Sequence, residues 1–212
     1  MVTPTPIQAS YDRFVAATAA LRERFRAPLP DVAPCSSSCP PVHDDCQAML
    51  VILLQNAWAD FCKELLRLSM EGKGPTLTGT VLTPVTLPPG VVSLNSHFRL
   101  RCKEAAGEMP NEGTNPIWHS PEYVIRVSMK INPANNDAIR AGLGGSAEAK
   151  NVTAVRNYVI HGTKDKYEEL LNRLGARGLS VPQFLAYQPR DRVTVFESWI
   201  EDLVAAAQNA AS

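Results

Sequence analysis

The chain has 212 residues, 45% of them hydrophobic and 20% charged, which suits one full core and excludes a disordered chain. Lys plus Arg and Asp plus Glu both number 21, giving a formal net charge of +0, so no global charge marks a nucleic-acid partner. The longest apolar run, Ala48 to Leu54, is seven residues and too short to span a bilayer, so no membrane association is expected. From Lys150 to Arg192 there are eight Lys or Arg against four Asp or Glu, a local surplus that suits a solvated helical face or a basic surface. The first residues lack the basic and apolar regions of a signal peptide. The five cysteines, an odd number, read as reduced thiols and not a disulfide framework, so the expected location is cytoplasmic.

Taken in order, residues 1–27 read as an N-terminal helix. Tyr11, Phe14, Ala17, Leu21 and Phe25 fall at spacings of three and four and draw one apolar stripe. Residues 28–41 carry five prolines and three consecutive serines and read as a connector. Leu54, Trp58, Phe61, Leu65 and Leu68 then mark a long helix from about Val42 to Met70, stopped by Gly72 and Gly74. Around residues 75–95 a loose polar and apolar alternation, broken by Pro84, Pro88 and Pro89, reads as a short hairpin or ordered loop. A helix over about Ser96–Ala106 follows.

The second half is well punctuated. Ser120-Pro121-Glu122 has the order of a helix start, and Asn132-Pro133 reads as a repeat of that device. Gly142-Leu143-Gly144-Gly145 lacks the strand and Lys-Ser/Thr pair of a phosphate loop and reads as a helix terminator. Ser146 is expected to cap a helix running to His161, and Thr163 another running to Leu174. Val193, Phe196, Ile200, Leu203 and Val204 mark the last helix. The expected fold is all-α, a single helical bundle with a small irregular or β insertion around residues 75–95.

Two groups of possible ligands or site residues stand apart. Cys35, Cys39, His43 and Cys46 offer four potential zinc ligands in twelve residues, but the spacing matches no common knuckle or ribbon, and thiols beside a helix start are the preferred reading. His97 and His119 lie in the irregular middle. For Trp118-His119, a packed Trp with a hydrogen-bonded His is preferred to a binding loop.

The helix ending at His161 carries the clearest chemistry. Val152, Val155 and Val159 share one face, while His161, two positions beyond Val159, lies about 200° round. Asn157, four before His161, shares its outward face, and Arg156 sits at the boundary. An imidazole can move protons near neutrality, and a guanidinium fork matches a phosphate. No carboxylate cluster or second histidine accompanies them, so neither a metal nor another cofactor is implied. The same residues also fit a solvated helix end whose histidine is favoured by the macrodipole.

Arg156-Asn157-Tyr158-Val159-Ile160-His161 resembles the R-N-x-x-x-H signature of HEPN domains, all-helical ribonucleases and ribonuclease-derived modules. The early helix around Trp58-Ala59-Asp60 is similar to that of the RiboL-PSP-HEPN branch, and the likeness of organisation covers about residues 42–208. The resemblance implies a metal-independent RNA endonuclease of toxin or defence type. Arg156 would contact the phosphate, His161 would transfer protons and Asn157 would support them, with Tyr158 and Asp60 as further supporting residues and Asp60 aiming Arg156. It also implies a homodimer with two motifs in one cleft, and an antitoxin or defence partner protein. Thr163 stands where some toxin relatives carry a regulatory tyrosine. The alternative reading is a catalytically inactive HEPN-like module that binds RNA or protein.

Overall fold

A computed structural model describes residues 3–27, 42–109, 117–188 and 193–212, with side chains of the second stretch from Cys46 onward. Nine helices are found among the described residues, and no strand. In chain order they are α1 (Pro6–Arg26), α2 (Val42–Glu71), α3 (Leu94–Gly107), α4 (Pro121–Ile131), α5 (Asn136–Gly144), α6 (Ala149–His161), α7 (Lys164–Arg173), α8 (Val181–Ala186) and α9 (Val195–Ala210). No helix among them is long and apolar enough to cross a membrane.

The protein is therefore mostly helical, and the long stripes pack as their spacing demands. Trp58, Phe61 and Leu65 are each no more than 3% exposed, and Phe196 and Ile200 no more than 2%. Phe14 of α1 stacks on Phe61 at a centroid distance of 5.2 Å and lies 5.8 Å from Trp58. At the other end of α1, Phe25 meets Phe196 of α9 at 4.9 Å. The N-terminal helix thus shares one apolar cluster with α2 and α9, and that cluster extends from Ile7 to Ala211. Thr5 begins α1 by accepting a hydrogen bond from the Gln8 amide at 3.1 Å, ahead of Pro6 at the first turn.

The insertion after α2 is a loop with one bridge and no hairpin ladder. Pro75 and Val81 form an isolated antiparallel bridge. Pro84, Pro88 and Pro89 remove donors that a ladder would need. The loop is instead tied to its surroundings. The Leu77 amide donates to the Ala211 carbonyl at 2.8 Å, and the Val85 amide to the Met70 carbonyl at 2.9 Å. Gly72 turns the chain in the left-handed region, where a Cβ would lie 2.4 Å from the Pro84 nitrogen.

Ser120 caps α4 as its sequence suggests, accepting from the Tyr123 amide at 3.4 Å. Asn132-Pro133 departs from expectation. Asn132 does not start a helix; it closes α4 in the left-handed conformation at φ 52°, and its amide donates to Ser128. The next helix begins three residues after Pro133, at Asn136. Gly142 also departs from expectation. It is a crossing point inside α5, where the Ala210 backbone of α9 passes so closely that a Cβ would sit 2.3 Å from its nitrogen, while Gly144 and Gly145 end α5 as the sequence suggests.

Asp202 of α9 fixes the start of α6. Its Oδ2 accepts from the Ser146 hydroxyl at 2.7 Å and from the Glu148 amide at 3.1 Å. Ser146 Oγ in turn accepts from the Ala149 amide at 3.3 Å, so the expected cap contact forms although Glu148 occupies the cap position. Buried Gln55 of α2 donates to Thr153 at 2.9 Å, joining α6 to α2.

Candidate active site

The last turn of α6 gathers the motif. Val152 and Val155 are buried, as the wheel requires, while His161 is exposed and Arg156 and Asn157 are partly exposed. Gly162, at φ 66°, then breaks the helix in the left-handed region, and its amide closes on the Tyr158 carbonyl. His161 therefore stands at the helix end, free of a following turn.

Arg156 connects the group. One guanidinium nitrogen, Nη1, donates to the Asn157 side-chain carbonyl at 3.0 Å and lies 3.3 Å from Nε2 of His161. A guanidinium only donates, so the imidazole must accept through Nε2, and a neutral ring then carries its proton on Nδ1. This is the tautomer whose Nε2 lone pair can take a proton once Arg156 turns to another acceptor. Tyr158 points elsewhere. It stacks on Tyr167 of α7 at 4.3 Å with the rings 17° from parallel, so it holds α6 and α7 together. Tyr167 continues the stack edge-on to Phe184 of α8.

Asp60 is not brought to Arg156. It lies five residues beyond Gln55, about 140° round α2 from the side that meets α6. It is exposed, and no ion pair or hydrogen bond joins it to Arg156 among the described residues.

His119 is the residue that sequence reasoning set aside. Trp118 packs as expected, stacked on Phe98 at 5.7 Å and edge-on to Tyr123 at 5.3 Å. His119 differs from the expected hydrogen-bonded histidine. It is half-buried, makes no hydrogen bond among the described residues, and lines a cavity of about 360 Å³ together with Asn157. Burial, and then the nearby Arg156 charge, hold its imidazole below the usual histidine pKa. The Trp-His-Ser-Pro run showed a helix start, but nothing local in it showed that His119 would face α6.

His97 does not join this group. It is buried in α3 with Nδ1 unpartnered, and burial followed by Arg101 lowers its pKa. Of the four potential zinc ligands, Cys35 and Cys39 and the His43 side chain lie outside the described residues. Cys46 is an exposed free thiol on α2. Cys62 and Cys102 are buried free thiols, and burial pushes the Cys102 thiol up to about 11.

No family model matches the chain, and neither does any curated protein or solved structure.

Proposed function

We propose that the protein is a metal-independent RNA endonuclease of the HEPN type, built as a homodimer with two Arg156/His161 pairs in one cleft. The observation that carries this reading is the shared contact of Arg156 with Asn157 and His161 on an exposed helix end. His161 is exposed and Arg156 partly exposed, so both groups are free to turn to a substrate.

In this mechanism a phosphate replaces Asn157 and His161 as the acceptor for Arg156, whose fork holds the charge that grows on the phosphoryl oxygens. His161 Nε2, released, removes the proton from the ribose 2′-hydroxyl. O2′ forms a bond to phosphorus, the bond from phosphorus to O5′ breaks, and the departing O5′ takes a proton from a second imidazole in its protonated, imidazolium form. One motif supplies one imidazole at the helix end, so the partner subunit's His161 is the natural donor. That need is the chemical reason for a dimer. The products are a 2′,3′-cyclic phosphate and a 5′-hydroxyl.

The test is an RNA oligonucleotide in which the ribose at a mapped cleavage position is replaced by deoxyribose. Cleavage should stop at that position alone, and the unsubstituted oligonucleotide should yield cyclic-phosphate ends. Continued cutting at the deoxy position would refute attack by the 2′-hydroxyl. The net charge of +0 favours a second reading, a module of the same type that binds RNA or protein without turnover. A toxin or defence role, with its antitoxin or defence partner, belongs to the nuclease reading.

A further inference from the structure

Asn157 belongs to two neighbourhoods. Its side-chain carbonyl accepts from Arg156, and it also walls the 360 Å³ cavity, which neither Arg156 nor His161 lines. The cavity lies where the start of α4, the outward side of α6 and α7 come together. Its volume is near the low end of small-molecule sites, about 300–1,000 Å³, which suits a single nucleotide and excludes a duplex.

The walls divide by chemistry. Ile117 and the buried Leu170 provide apolar surface suited to one face of a flat ring. Lys150, Lys166 and Arg173 bring three cations against two acids, Glu122 and Glu169. Two of the cations are already held in place, Lys150 by Glu122 at 2.5 Å and Arg173 by the Asn151 carbonyl at 2.7 Å. Lys166 is exposed and makes no ion pair among the described residues, which leaves its charge for a phosphate. His119 and Asn157 add hydrogen-bonding groups, and the half-buried His119 makes no hydrogen bond among the described residues.

An apolar wall for a base, a cation for a phosphate, and a donor–acceptor pair for a base edge describe one ligand class. We propose that this cavity holds the nucleotide next to the phosphate gripped by Arg156, a ribonucleotide of single-stranded RNA, and that His119 hydrogen-bonds its base. The identity of the ligand rests on the ribonuclease reading. His119 and Asn157 are then specificity residues, and the side of α6 that faces the cavity reads sequence while its end performs chemistry.

The test is calorimetric titration of the intact protein with each nucleoside 3′-monophosphate and with inorganic phosphate. At least one nucleotide should bind more tightly than inorganic phosphate. His119→Ala should weaken that nucleotide by about tenfold. Lys166→Glu, on an exposed position that leaves folding intact, should weaken nucleotide and phosphate together. On RNA, His119→Ala should act mainly through KM. Equal nucleotide affinity in wild type and both variants, or inorganic phosphate binding as tightly as every nucleotide, would overturn the proposal. His119-dependent nucleotide binding without any RNA cleavage would keep the pocket and remove the nuclease. RNA cleavage abolished by His161→Ala, with no nucleotide bound, would keep the nuclease and remove the pocket.

Discussion

Replacing Gly142 by alanine probes the joint that supports the site. A Cβ there would lie 2.3 Å from the Ala210 nitrogen, 2.7 Å from its Cα and 2.9 Å from the Ala206 carbonyl oxygen. All three atoms are backbone, so no side-chain rotation relieves them, and α5 must move from α9. Overpacking typically costs about 1–3 kcal/mol, and a backbone obstacle places this change at the upper end, about 3 kcal/mol. Alanine's better helix propensity returns about 1 kcal/mol, leaving a net loss of about 2 kcal/mol. For a chain of this size that lowers Tm by about 4–8 °C. Gly107→Ala is the control, because a Cβ on that last residue of α3 meets nothing within 4 Å. Circular dichroism melts of both variants, with urea titrations at 25 °C, make the comparison. A Gly142→Ala protein as stable as wild type, or more so, would refute the close crossing of α5 and α9.

Three further outcomes follow from named contacts. Asp202→Ala removes the acceptor shared by Ser146 and the Glu148 amide. Hydrogen bonds to a charged group contribute about 1.5–3 kcal/mol, and partial exposure reduces this to about 1–2 kcal/mol in a urea titration. Stability should also depend on pH through His97 and His119, whose folded pKa values are both lowered from 6.5. The unfolded chain then binds protons that the folded chain refuses, so this contribution is present above about pH 6.5 and is lost as pH falls towards the folded values. A His97→Leu protein should lose less stability between pH 7 and pH 5 than wild type, and an identical slope would contradict this. Tyr158→Ala removes the stack on Tyr167, costing about 0.5–1.5 kcal/mol beyond the lost burial, and hydrogen exchange at α7 should rise.

The long helices were legible because their burial is periodic. The stripe Leu54–Leu68 and the cap Ser120-Pro121 each carry their own geometry in a few neighbouring residues. Asn132-Pro133 was misread because an asparagine serves equally as a start cap and as a left-handed stop, and only the packing of α4 against α5 decides between them. The six-residue α8 was missed, although its capping box was present in Ser180 and Gln183. Gly142 and Gly144 are alike in sequence, yet only Gly142 lies against another helix's backbone, while at Gly144 an added Cβ would meet the Ile125 side chain at 3.8 Å. At the site, the shared face of Asn157 and His161 could be read from their spacing of four, whereas Arg156, five before His161, reaches both through its long side chain. The place of His119 beside Asn157 joins positions 38 residues apart, and nothing local encodes it. Asp60 failed as a partner for the converse reason, since its spacing from Gln55 already turns it away from α6.

The central claim is that Arg156 and His161 cut RNA without a metal. Purified protein should degrade a total RNA pool in excess EDTA while leaving DNA intact. His161→Ala should lower the rate by about 10²–10⁴-fold, and Arg156→Lys, which keeps the charge but loses the fork, should recover only part of it. Undiminished cleavage by the folded His161→Ala protein, or equal cutting of DNA, would contradict the mechanism. No cleavage of any RNA by the wild type would leave the binding module in its place.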